Sequence, residues 1–169
     1  HKLMAEVVND PNALNVTNIP HILDILTEAR TLLDSIQSGL NLYLETKRLF
    51  FPRFYFLSND ELLEILSETK DPLRVQPHLK KCFEGVNKLE FKENLDINSM
   101  SSKEGETVPM SRIVNPLDSK SAVERWLKEF ETVMKETVNE QCSKGLKAYQ
   151  STQRTDWVCQ WPGQVVLAV

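Results

Sequence analysis

Between residues 22 and 43, Ile22, Leu26, Ala29, Leu33, Ile36, Leu40 and Tyr43 recur at alternating spacings of 4 and 3. That alternation keeps side chains on one face of an α-helix, so the segment must be a rod with a continuous apolar seam. Leu23, Ile25, Leu32, Leu42 and Leu44 widen the stripe, which points to a long bundle helix buried on more than one side. A free two-stranded coiled coil is the weaker reading, because three heptads are short and other helices follow. Asn18 is placed to cap this helix, with Pro20 tolerated in its first turn. At 1.5 Å per residue the rod would run roughly 40 Å. Upstream, Asn9, Asp10, Pro11, Asn12, Asn15 and Thr17 have the composition of a lead-in loop over residues 5–17. His1-Lys2-Leu3-Met4 reads as a vector-derived scar running into an initiator-like Met. Asn15-Val16-Thr17 has the form of a glycosylation sequon and is read as a chance triplet.

The rod runs into Leu49-Phe50-Phe51-Pro52-Arg53-Phe54-Tyr55-Phe56-Leu57, which holds four of the seven Phe in the chain. Pro52 must end the helix near Phe51, since it lacks an N–H and its ring clashes with the preceding turn. Phe50, Phe51, Pro52, Phe54 and Phe56 therefore read as an aromatic plug where the chain turns between packed helices. Ser58-Asn59-Asp60-Glu61 is a capping box opening a short helix with Leu62, Leu63, Ile65 and Leu66. A further helix from about Val75–Pro77 carries Leu79, Cys82, Phe83, Val86 and Leu89 at helical spacing.

After Lys88 the period changes. Phe91, Leu95 and Ile97, then Val108, Met110 and Ile113, sit in near-alternating contexts around Ser101-Ser102-Lys103-Glu104-Gly105-Glu106. This predicts a β-hairpin or small three-stranded sheet with a polar turn. Glu104 and Glu106 are its close acidic pair, a solvated turn or a docking point. Ser121-x-x-Glu124 forms a second capping box. Val123, Trp126, Leu127, Phe130, Val133, Met134, Val138, Cys142, Leu146 and Tyr149 then make an apolar stripe of roughly seven turns. Glu124/Lys128 and Glu131/Lys135 pair at i,i+4 on what reads as the solvated face. Gly145 is expected to loosen the last turns. Trp157, Trp161 and Val165 share a helical face, with Pro162 in a first turn or at a kink. The sequence stops in an apolar run, as an excised portion of a longer chain would.

No chemistry emerges along the way. Five glycines stand singly, so neither GxxxxGK[ST] nor GxGxxG can be written. The net charge of −4 leaves no basic stripe for nucleic acid, and no apolar run is long enough to span a membrane. Cys82, Cys142 and Cys159 are odd in number and far apart, fitting reduced thiols; no CxxC or HxxxH suits a metal. His21 and His78 stand alone, without a paired nucleophile. No catalytic, cofactor-binding or metal residues are expected. The fold class is mainly α, a helical bundle with long helices and a small β-hairpin insertion. Its divisions are the scar and lead-in over 1–17, a helical subdomain over 18–89, a β-hairpin over 90–115, and a long helix with a junction segment over 116–169.

The segment from Gly39 to Leu66, with its Phe-Phe-Pro-Arg-Phe-Tyr-Phe run, resembles the dynein heavy chain. So do Gln76-Pro-His-Leu-Lys-Lys-Cys-Phe-Glu-Gly85, Ser102-Lys-Glu-Gly-Glu106 and Trp157-Val-Cys-Gln-Trp-Pro-Gly-Gln-Val-Val166. The resemblance covers nearly all of residues 20 to 169, in order, to the C-terminal half of the linker before the first AAA+ module. The Trp-Pro-Gly-Gln ending is similar to the axonemal branch. The first dozen or so residues match weakly.

The resemblance implies a mechanical part, a helical lever across an AAA+ ring that bends and straightens with the ATP cycle to drive movement along microtubules. On that reading Phe50–Leu57 sets an angle between helices, Trp126 packs the second long helix, and Trp157, Trp161 and Pro162 set the junction to the ring. Glu104 and Glu106 would dock on the ring. ATP and Mg would belong to the parent ring and no cofactor to this portion. Partners would be the ring of the same heavy chain, microtubules and other dynein subunits, with no nucleic acid and no membrane. The setting would be the cytoplasm and cytoskeleton, in the axoneme of a cilium or flagellum. The competing reading is a passive helical scaffold or adaptor that binds a partner helix in an aromatic groove; a stand-alone enzyme is a distant third.

Overall fold

A computed structural model describes residues 2–67, 71–119 and 122–161. They form a mainly helical chain with one small antiparallel sheet, divided into two compact units, 1–43 and 44–169.

The first unit contains helix α1 (Lys2–Asn9), helix α2 (Ala13–Thr17) and the beginning of α3 (Ile22–Phe50). The lead-in is thus helical rather than a loop. Its helix-breaking residues are concentrated at 9–12, where α1 stops and Asn12 caps α2 through a 3.0 Å bond from the Leu14 N–H. Asn18 is the C-cap of α2, with its own N–H bonded to the Leu14 and Asn15 carbonyls. The long helix therefore starts at Ile22, after His21 takes a positive φ of 60°. Its seam departs most from expectation. Leu26, Leu33, Ile36, Leu40 and Tyr43 are exposed, and Leu44 alone in α3 is buried. Periodicity reveals which face is apolar, but says nothing about what covers it.

The second unit holds the core. α3 ends at Phe50, and Pro52–Phe56 follow as a single 3-10 stretch. Helices α4 (Asn59–Ser67) and α5 (Gln76–Cys82) come next, joined through a 3-10 turn at Pro72–Val75. α5 is shorter than its apolar spacing predicts. It closes at Cys82, and Val86 and Leu89 reach the core from a loop and a strand. Strands β1 (Lys88–Phe91), β2 (Ile97–Ser101) and β3 (Thr107–Val114) form a meander in the order β1-β2-β3. Leu89 opposes Met100, which opposes Val108, so one face of the sheet is apolar. Gly105 turns β2 into β3 with a φ of 89°, a conformation that costs glycine nothing. Leu95 lies in the β1–β2 turn at φ 64°, and Ile113 is exposed.

Helix α6 (Val123–Tyr149) packs against β3. Its buried stripe of Val123, Trp126, Leu127, Phe130, Val133 and Met134 recurs every three or four residues. Ala122 is the N-cap without a side-chain bond, and Ser121 lies outside the described residues. Helix α7 (Arg154–Gln160) follows after a short turn, with Trp161 as its C-cap.

Candidate functional site

The aromatic plug divides in two. Phe51 and Phe54 are fully buried, whereas Phe50 and Phe56 are 42% and 68% exposed and Pro52 stands at the surface. A 3-10 stretch turns three residues per cycle, so positions 51, 54 and 57 share the inward face. Phe51 and Phe54 meet edge to face at 4.9 Å. Phe51 lies 6.1 Å from Phe83, whose ring meets Phe130 of α6 edge to face at 5.1 Å. Four rings thus run from the turn to the N-terminal third of α6, each adjacent pair within the range where ring quadrupoles attract. Trp126, 1% exposed, is buried in the same core. Phe50 is not part of this ladder; its ring lies under the Lys128 ammonium at 4.8 Å.

Arg53, which the sequence did not single out, joins three elements. Its Nε donates to Glu131 on α6 at 3.1 Å, and another guanidinium nitrogen donates to the Cys82 carbonyl at the end of α5 at 2.9 Å. The guanidinium also lies over the Phe83 ring at 4.7 Å. The planar fork of arginine suits such simultaneous contacts. A single cation between Phe51-Pro52 and Phe54-Tyr55 was the available signal. Burial opposes the charge on Glu131, but hydrogen bonds from Lys135 and Arg53 outweigh it and keep its carboxyl below the ordinary value. Burial raises the Cys82 thiol to about 11, so it stays protonated at neutral pH.

Glu124, expected on the solvated face with Lys128, is buried and pairs with Lys47 of α3. The Ser58 capping box has the predicted geometry. The Ser58 N–H donates to Glu61 at 3.0 Å, and the Glu61 N–H returns to the Ser58 hydroxyl at 3.3 Å. Glu61 also binds Lys81 of α5, which ties α4 to its neighbour.

At the other end of α6, Trp157 and Trp161 both face Gly145. The Trp157 indole N–H donates to the Gly145 carbonyl at 2.7 Å, and its ring meets Tyr149 edge to face at 5.1 Å. Gly145 is buried beneath the two indoles, and α6 continues through it to Tyr149. Pro162 and Val165 lie outside the described residues. Glu104 is exposed and Glu106 half-buried on the β2–β3 turn, where the Glu106 N–H donates to the Ser102 hydroxyl at 3.2 Å. The structure brings Phe51 and Phe54 together with Trp126 in one core, leaves Phe50, Pro52 and Phe56 at its surface, and holds the α6–α7 contact and the acidic turn outside it.

A family model described as dynein heavy chain, N-terminal region 2, matches residues 1–145. The chain is similar to dynein axonemal heavy chain 3 of Mus musculus and of Homo sapiens, 56% identical over 167 residues to each. It is 53% identical over 167 residues to dynein axonemal heavy chain 12 of Rattus norvegicus. These matches take in 99% of this chain and only 4% to 5% of each relative's length. The similarity extends through the first dozen residues, where the sequence resemblance was weak. The chain belongs to the dynein heavy chain family, and its relatives here are axonemal heavy chains.

Proposed function

We propose that this chain is a segment of the mechanical linker of an axonemal dynein heavy chain, passing ATP-driven changes in an AAA+ ring into microtubule-based movement. The supporting observation is the elbow, where four rings in edge-to-face and tilted contact, with Arg53, join the turn at Pro52–Phe56 to α5 and α6. A lever must resist bending where its helices change direction. Close-packed interiors transmit strain instead of absorbing it, and the guanidinium contacts add direction to that packing. Glu104 and Glu106, exposed and half-buried on one turn, are the proposed docking point for the ring, and Trp157 and Trp161 the proposed junction. ATP and Mg belong to the ring on this reading, and no residue of this chain is assigned to either.

The test is Arg53→Met in the full heavy chain, which keeps the aliphatic stem and removes the fork. ATP turnover should persist while gliding slows severalfold. Gliding at the parental speed would refute the lever reading of the elbow. A passive scaffold draws on a different observation, the exposed apolar seam of α3. A P-loop ATPase further along the same polypeptide separates the two, since only the lever requires it.

A further inference from the structure

Among the described residues, the core includes no α6 residue C-terminal to Val138, and no residue of α7 is buried. The helix nevertheless lies back on α6. The Trp157 N–H binds the Gly145 carbonyl at 2.7 Å, and the Trp157 ring meets Tyr149. The Trp161 ring covers Gly145, where an added Cβ would stand 3.5 Å from its nearest atom. Both indoles use one receptor, the surface around Gly145. The Trp161 backbone N–H donates to the Trp157 carbonyl at 3.1 Å, which ties the two residues into one helical turn.

We infer that α7 is a latch on the end of α6, docked through Trp157 and Trp161 onto Gly145 and Tyr149, and able to open as a unit while the core stays closed. Regions with little buried apolar surface open at free energies far below that of global unfolding. Here the closing interactions are one hydrogen bond and two half-buried rings, without a side chain in the core. Gly145 sets the fit. A methyl group at 145 would make ordinary contact with Trp161, whereas a longer side chain would occupy the ring's place. The latch stands on this geometry; its use as the coupling point to a ring rests on the lever reading above.

Amide hydrogen exchange on the 169-residue chain, resolved over 154–161 and 123–137, tests it. The hydrogen-bonded α7 amides, from Trp157 onward, should be protected, yet exchange at least tenfold faster than the hydrogen-bonded amides of 123–137. Trp157→Phe keeps a ring but removes the indole donor, and should speed α7 exchange by about fivefold to tenfold with 123–137 unchanged. Gly145→Leu should do the same, and Gly145→Ala should leave α7 protected. The inference is overturned if α7 exchanges in step with 123–137, or shows no protection at all. It also fails if Trp157→Phe and Gly145→Leu leave α7 unaltered or speed both segments equally. No motor activity enters this readout, so its failure and that of the gliding test are separate results.

Discussion

At the scale of single residues, the ionic contacts that matter are those that cross between elements. Lys47 and Glu124 form such a pair, with side chains only 23% and 10% exposed. Burying a charge is costly unless it is matched, and removing one partner leaves that cost uncompensated. Lys47→Met is therefore expected to destabilise the chain by about 1–3 kcal/mol, below the full cost of breaking a buried pair because some water still reaches it. The double change Lys47→Met with Glu124→Leu should recover most of that loss, read as the coupling in a urea-unfolding cycle. If the double variant loses the sum of the two single changes, the pair is not coupled. The sequence showed Glu124 and Lys128 four apart and assigned them to each other. Spacing along one helix identifies possible neighbours on that helix only. It was blind to Lys47, 77 positions earlier, just as it was blind to Arg53 reaching Glu131. The aromatic content of the plug was legible, but its inward and outward halves were not, because 3-10 winding decides which of Phe50, Phe51, Phe54 and Phe56 turns inward.

At the scale of elements, the open edge of the sheet shows how a short strand is kept from pairing further. The Gln76 side chain donates to the Leu89 carbonyl at 2.6 Å and accepts from the Leu89 N–H at 3.1 Å. One amide side chain thus takes the place of a fourth strand at the centre of β1. Exposed edges invite pairing with other chains, and this one is closed where Leu89 sits. Gln76→Ala should cost about 1–3 kcal/mol, the usual penalty for leaving buried polar groups unpaired. Faster exchange of the Leu89 amide should accompany the loss, and unchanged exchange there would remove Gln76 from this role. The meander and both long helices were readable from periodicity, as was the Ser58–Glu61 cap. α5 was not, because Val86 and Leu89 continue a helical spacing by coincidence while the chain has already turned at Glu84 and Gly85. The helices α1 and α2 were missed for a similar reason. Residue counting spread their breakers across a window, whereas the chain confines the break to 9–12.

At the scale of the whole molecule, the carboxylates that tie elements together make stability depend on pH in a stated direction. The Lys81 hydrogen bond, with the Ser58 N–H, lowers Glu61 from 4.5 to about 2, and Glu131 also sits below its ordinary value. A group depressed in the folded state binds its proton more readily in the unfolded one. Its stabilisation is present above the unfolded value and is lost as pH falls toward the folded value. Unfolding midpoints should therefore drop as pH falls from about 5 to about 3, and the drop should be shallower in Glu61→Gln. Equal slopes in the two proteins would exclude Glu61 from the effect. Fold class was legible at this scale because two long apolar periods and one change of period dominate the chain. The cover of the α3 seam was not, since a sequence states an apolar face without naming what lies against it.

The placement of the three tryptophans has an optical consequence. Trp126 is sealed in the core, while Trp157 and Trp161 lie half-buried where α7 meets α6. The chain's intrinsic emission is thus the sum of two spatially separate signals, a blue one from the interior and a redder one from the tail. Light collected at the two ends of that spectrum distinguishes loss of the core from movement of the tail, without any attached dye.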